Sequence, residues 1–261
     1  MIVETHAHYD DAAFDQDREE ILNSLKASEV GIVVNIGASI KSSKQSMELS
    51  KQYDFIYSAI GVHPSEVGDM TEEDFEFLKH HTQDKKVVAV GEIGLDYYWD
   101  TPERELQKMW FIRQLHLAIE EEKPVVIHSR DAAADTLTIM KEAFEYAKSL
   151  NKPFTGVIHC FSYSYEIARE YQKLGFYIGV GGVVTFKNGR VLKEVVQEIP
   201  LEWIVLETDS PYLSPVPNRG KRNDSTNLTY VVNMIAEIKN VTRQQVIEQT
   251  TQNAKKLYQL V

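Results

Sequence analysis

The stretch Thr5-His6-Ala7-His8 sets two histidines two positions apart. In an extended chain that spacing turns both imidazoles to the same face, where they can share a cation. A second stretch, VVAVGEIGLDYYW from Val87 to Trp99, carries an apolar run into a carboxylate, Glu92, set among Gly91 and Gly94. An ionised glutamate in such a place is costly to bury unless something positive meets it: an Arg or Lys, solvent at a sheet edge, or a metal ion. Other apolar runs stop at His63, at His128-Ser129-Arg130, at His159-Cys160 and at Glu207-Thr208-Asp209. Two imidazoles and a carboxylate form a common donor set for a cation of zinc or manganese type. The histidines and acids at these run ends suffice for two cations, and the two oxygens of Glu92 allow it to bridge them. A hydrolase with paired metals can polarise the scissile bond, generate hydroxide at neutral pH and stabilise the leaving oxygen. A lone HxH reads as well as a polar strand end bonded to backbone; its recurrence with His128, His159, Glu92 and Asp209 favours metal.

Neighbouring polar residues have plainer expectations. His80 and His81 lie in a polar helical segment open to solvent, and His116 sits within a helix as a structural or surface residue. Cys160 should point away from His159 as a small buried hydrophobe. Tyr97, Tyr98 and Trp99 suit either stacking on bases or packing beneath a loop. The segment ETDSPYLSPVPNRGKRN, Glu207 to Asn223, is stiffened by three prolines and ends in Arg219, Lys221 and Arg222. Such a basic cluster beyond the last strand is placed to hold a phosphate near a barrel mouth; otherwise it is a solvated loop.

These residues need elements to bring them together. Eight short apolar runs recur along the chain: Ile2–Thr5, Ile32–Ile36, Phe55–Ile60, Val87–Val90, Pro124–Ile127, Thr155–Ile158, Phe176–Val180 and Trp203–Leu206. Near-continuous apolar runs mark parallel strands covered on both faces. Helical patterns separate them: Phe14, Ile21, Leu22 and Leu25 recur at helical spacing, and Thr101-Pro102-Glu103 reads as an N-cap with proline at the first helical position. Eight strand–helix units in 261 residues match the size of a (β/α)8 barrel. The competing open doubly wound sheet lacks its Gly-rich turn, because GVGGVVTF after the seventh run has the wrong spacing. The expected fold is one α/β domain over residues 1–261, a (β/α)8 TIM-type barrel, with six of eight strand ends delivering a His or carboxylate to one mouth.

The apolar fraction of 43% and charged fraction of 26% are those of an ordinary globular protein. The start MIVETHAHYDD has no basic and apolar leader, and no apolar run approaches the ~20 residues of a membrane helix. The single cysteine, Cys160, precludes an internal disulfide and suits a reducing cytoplasm. A net charge of −11 argues against tight binding of nucleic acid over the whole surface, so a polyanion must be held by a local patch or by cations.

The motifs THAHYDD, IGVHP, GEIGLDYY, HSRDA, IHCFS and ETDSPYLSPVPNRGKRN, in this order and spread over nearly the whole chain, resemble the TatD-like DNase family. The resemblance implies a metal-dependent hydrolase of the amidohydrolase-like group with nuclease activity. It also implies His6, His8, Glu92 and Asp209 at one divalent metal and Glu92, His128 and His159 at another (Mg, Mn or Zn). His63 would assist at the substrate phosphate, and Arg130, Arg219, Lys221 and Arg222 would bind substrate. The chain departs from the family pattern at Glu4, usually Asp, at Tyr163, usually Gly, and at Asp224-Ser225 in place of Glu-Pro. The expected activity is a phosphodiesterase on nucleic-acid ends, a 3′→5′ exonuclease on single-stranded DNA, with a two-metal-activated water oriented or deprotonated by Asp209. Two rivals stand beside it: an amidohydrolase cleaving a C–N or ester bond in a small molecule or aminoacyl-tRNA, and a non-catalytic metal or nucleic-acid binding protein.

Overall fold

A computed structural model describes residues 1–99 and 101–260. Each apolar run forms a strand: β1 (Ile2–Ala7), β2 (Val30–Ile36), β3 (Ile56–Ile60), β4 (Val87–Asp96), β5 (Val125–Arg130), β6 (Gly156–Ile158), β7 (Phe176–Val180) and β8 (Ile204–Leu206). They pair in parallel, in chain order. The last strand returns to the first through a parallel bridge between Ala7 and Ser210. Around that bridge the Asp209 N–H donates to the His6 carbonyl (2.9 Å) and the His8 N–H to the Ser210 carbonyl (2.8 Å). Backbone bonds that close the barrel thus also set His6, His8 and Asp209 side by side.

Helices α1 (Arg18–Leu25), α2 (Ile40–Gln52), α3 (Glu72–His81), α4 (Arg104–Glu120), α5 (Ala133–Ser149), α6 (Tyr165–Lys173), α7 (Arg190–Glu198) and α8 (Leu228–Lys239) alternate with the strands, and α9 (Arg243–Tyr258) follows. Strand alternation divides the core in two. Val33, Val90, Val125, Ile127, Ile158, Ile178 and Ile204 pack outward against the helices. Val34, Ala59, Ala89, Val126, Val157, Tyr177 and Val205 fill the interior together with Ala254, Leu257 and Tyr258 of α9. The C-terminal helix therefore plugs the bottom of the barrel, and the Tyr258 hydroxyl donates to the Thr5 carbonyl (3.1 Å). Among the described residues no helix is long and apolar enough to cross a membrane.

Two expectations about element ends are corrected. β4 does not stop at Glu92 but runs on to Asp96, because its second half pairs with β5, Gly94 opposite His128 and Asp96 opposite Arg130. Helix α4 begins at Arg104 with Glu103 in the cap position, so Thr101 is not its N-cap and Pro102 lies ahead of the first turn. The buried Gln107 side chain explains the geometry there. It exchanges both hydrogen bonds with the backbone of Asp96 (2.9 and 3.0 Å) and donates to the Pro102 carbonyl (2.8 Å). Seven residues on, Gln114 does the same to Val62 (2.8 and 3.1 Å). One face of α4 thereby fixes the end of β4 and the residue before His63.

Candidate metal centre

Seven of the expected residues converge at the C-terminal mouth: His6, His8, His63, Glu92, His128, His159 and Asp209. His6 Nε2 lies 3.1 Å from His8 Nε2, 3.4 Å from Glu92 Oε2 and 3.7 Å from Asp209 Oδ1. His8 Nε2 lies 3.8 Å from Glu92 Oε2 and 3.4 Å from Asp209 Oδ1. Ligands held about 2.0–2.1 Å from a tetrahedral ion stand roughly 3.4 Å apart, so His6 Nε2, His8 Nε2 and Asp209 Oδ1 fit three corners of one cation's shell, with Glu92 Oε2 beside both imidazoles. Two imidazole nitrogens facing each other beside two carboxylates is a donor set that a cation satisfies fully.

The other oxygen of Glu92 faces a second set. Its Oε1 is 2.8 Å from His128 Nδ1 and 3.8 Å from both His63 Nε2 and His159 Nε2. His159 Nε2 also stands 3.7 Å from Asp209 Oδ1, which links the two sets. Glu92, His63 and His128 make one compact donor group, and His6, His8 and Asp209 make another. His63 therefore stands as close to Glu92 as His159 does.

The far side of each ring decides what its near side can do. His8 Nδ1 donates to the Ile36 carbonyl (2.9 Å), which leaves a lone pair on Nε2. His159 Nδ1 faces Glu207 Oε2 at 3.3 Å, and His128 Nε2 faces Asp96 Oδ2 at 3.1 Å. His63 differs. Its Nδ1 meets two groups of Ser65, the backbone N–H (3.1 Å) and the hydroxyl (2.8 Å); accepting the N–H puts the neutral ring's proton on Nε2, toward Glu92, whereas donating to the hydroxyl keeps it on Nδ1. His6 Nδ1 and His159 Nδ1 are both buried without a hydrogen bond.

The protein's own charges set opposing protonation tendencies. Burial works against a charge on His8 and His159, yet the surrounding carboxylates outweigh it. Asp209 and Glu92 raise His8 to about 9, while Glu207, Glu92 and Asp209 raise His159 to about 10. Burial and the nearby His128 push His63 down to about 3, so it is neutral. Burial would raise Glu92, but His159, His128 and His6 hold it well below the usual carboxylate range. Glu4, at the departure from the family pattern, is raised to about 8 by burial. Its Oε1 accepts the N–H groups of His6 (3.1 Å) and Thr208 (2.9 Å), tying together the two ligand-bearing segments of the seam.

Asp96 and Glu207 were not singled out as site residues by the sequence reading. Asp96 shares a strand face with Glu92 by the alternation 92, 94, 96, but that signal is hidden when the strand is ended at Glu92. Glu207 precedes Asp209 by two residues and is 1% exposed, which an acid flanking a loop does not announce. Gly94 admits a close approach, though of protein rather than metal. Its φ is +151°, and a Cβ there would sit 1.9 Å from the His128 carbonyl oxygen.

The expected flank residues lie elsewhere. The mouth opens into a cleft of about 540 Å³ lined by the metal-centre residues other than His6 and by Asp10, Asp11, Asp15, Lys41, Glu66 and Tyr212. Arg130, Arg219, Lys221 and Arg222 are not among its lining residues. Arg222 forms a forked pair with Asp17 (2.8 and 2.5 Å), Arg219 lies over the Phe186 ring (4.3 Å) and Arg130 over Tyr98 (3.8 Å). Cys160 is half-buried in the turn after β6, where alternation no longer applies, and its N–H donates to Glu207 Oε1 (2.6 Å). Burial and the neighbouring Asp209, Glu207 and Glu92 push its thiol well up. Tyr163, at the family's glycine position, places its hydroxyl 2.9 Å from Ser129 Oγ and 3.3 Å from the Ala132 N–H.

An eight-stranded parallel barrel with a His- and carboxylate-rich mouth fits a metal-dependent hydrolase, the class its relatives are named for. The chain belongs to the family described as TatD related DNase, whose pattern matches residues 3–259. It is 45% identical over 260 residues to the metal-dependent hydrolase YabD of Bacillus subtilis, covering all of both chains. It is 35% identical over 264 residues to the metal-dependent hydrolase YcfH of Escherichia coli, covering 100% of this chain and 96% of that one. The crystal structure of YjjV, a TatD homologue of Escherichia coli, superposes with a TM-score of 0.91 at 27% identity, covering 100% and 98% of the two chains.

Proposed function

We propose that the protein is a two-metal phosphodiesterase acting on nucleic-acid ends, a 3′→5′ exonuclease on single-stranded DNA. The observation that carries this reading is the split environment of Glu92: one oxygen faces His6 and His8, the other His128, His159 and His63. In this reading His6, His8, Glu92 and Asp209 would hold one divalent cation and Glu92, His128 and His159 the other. Bound divalent cations would supply charge stabilisation at the phosphoryl group and acidify a water at neutral pH. Asp209, at the junction of the two sets, accepts the proton of the attacking water. His63, neutral and in the tautomer with its N–H on Nε2, donates a hydrogen bond to a phosphoryl or leaving oxygen.

A second reading has its own support. The cleft above the centre presents Asp10, Asp11, Asp15 and Glu66 against one lysine, Lys41, a lining that suits a small, uncharged or cationic ester or amide better than a strand of phosphates. The deciding experiment strips the metals, then restores Mg²⁺, Mn²⁺ or Zn²⁺ against labelled single strands, duplexes and simple esters. Metal-restored shortening of single strands from the 3′ end is the expected result; turnover of simple esters alone favours the second reading. Glu92→Gln should lose at least one metal per chain and nearly all hydrolysis while staying folded. A fully metallated, active Glu92→Gln protein overturns the bridge.

A further inference from the structure

A chain with net charge −11 and an acidic cleft needs something other than bulk charge to hold a single strand. Outside the lining of that cleft, two residues beyond Asp96, the turn after β4 presents two exposed rings, Tyr98 (53% exposed) and Trp99 (58% exposed). They meet edge to face, with centroids 4.8 Å apart and planes at 89°. The Arg130 guanidinium lies 3.8 Å from the Tyr98 centroid and backs one face of that ring. The preceding tyrosine behaves differently: the Tyr97 hydroxyl donates to Asp135 (2.7 Å), and the ring packs against the core. Large rings left in water next to one that is anchored are unexplained by packing.

The corner is also tied to the chemistry. The Tyr98 N–H donates to Asp96 Oδ1 (2.9 Å), and the other oxygen of the same carboxylate faces His128. The Tyr97 N–H donates to the Arg130 carbonyl (2.9 Å), so the turn and the end of β5 are one unit. We infer that Tyr98, Trp99 and Arg130 form a base-stacking platform that holds a nucleobase of a single-stranded substrate beside the metal centre. Stacking needs no net positive charge, tolerates any base and uses both aromatic faces and a guanidinium plane. The inference rests on the nucleic-acid reading above.

The test separates bases from phosphates and needs no turnover. Binding of fluorescein-labelled oligo-dT and of an abasic strand of equal length is measured by anisotropy in EDTA, with Trp99 fluorescence followed in parallel. Wild type should prefer oligo-dT by roughly 10-fold, the scale of one stacked base, with quenching of Trp99. Tyr98→Ala/Trp99→Ala should lose that preference, and Tyr98→Phe/Trp99→Phe should keep it. A melting curve close to wild type shows that the variants are folded, as expected for exposed rings. Equal wild-type binding of the two strands, or a preference that survives the double alanine change, overturns the platform. Cleavage of single strands by metal-loaded wild type then still stands or fails separately as the test of the nuclease reading.

Discussion

His63 shows how the far side of a ring bears on the role proposed for it. Three of the other histidines face a carbonyl or a carboxylate on the far side: His8 the Ile36 carbonyl, His128 Asp96 and His159 Glu207. His63 alone among these has a backbone N–H there, that of Ser65, and the tautomer that accepts it offers a proton rather than a lone pair to the centre. That matches a donor at the substrate phosphate better than a ligand, despite its 3.8 Å distance from Glu92. His63→Ala should therefore keep the metal content and slow cleavage by roughly 10²-fold or more. Atomic emission on the purified variant, beside single-turnover rates, checks both halves; loss of metal would make His63 a ligand. Asp96 acts one step further out. Asp96→Asn retains shape but replaces an acceptor facing His128 Nε2 with an amide that can turn a donor toward it. A 10- to 100-fold weaker metal affinity is expected, measured by competition with a chelating dye.

At the scale of elements, β4 carries the design. It delivers Glu92 and then Asp96 to one face, and it can do so only because β5 lies close against Gly94. Gly94→Ala puts a methyl group into the His128 carbonyl oxygen at a φ that L-residues rarely adopt. It should destabilise the protein by about 2 kcal/mol or more, read as a shifted urea midpoint, and should displace His128 enough to lower metal content. The barrel itself was legible in the sequence because eight buried parallel strands must be near-continuously apolar, and each interruption by a His or an acid marked a strand end. Glu92 misled for the same reason. It interrupts its strand without ending it, since the charge is met inside the mouth by histidines from β1, β5 and the loops after β3 and β6. The amides of Gln107 and Gln114 were illegible, because a buried glutamine gripping distant backbone resembles any polar helix residue until the partner strand is placed.

On the scale of the whole molecule, the charge balance governs both stability and substrate capture. The mouth gathers the carboxylates of Glu92, Asp96, Glu207 and Asp209 within a barrel of net charge −11, and cations that bind only the folded chain stabilise it by mass action. At a free metal concentration about 100-fold above Kd, one site contributes about 2.7 kcal/mol, or roughly 5–10 °C in melting temperature for a chain of this size. Adding EDTA should lower the melting point by that amount, and Glu92→Gln should show a smaller drop. Capture of a strand by the basic loop follows a different test. Arg222 already grips Asp17, so its removal should loosen the loop more than it weakens phosphate binding. Arg219 and Lys221 are the members left to meet phosphates. Each phosphate contact on a single strand contributes about 0.7 to the slope of log affinity against log salt. Arg219→Ala/Lys221→Ala should flatten that slope by about 1.4 and raise KM for oligonucleotides. An unchanged slope would make the loop a solvated one and leave cations at the mouth as the means by which an acidic protein holds an anionic strand.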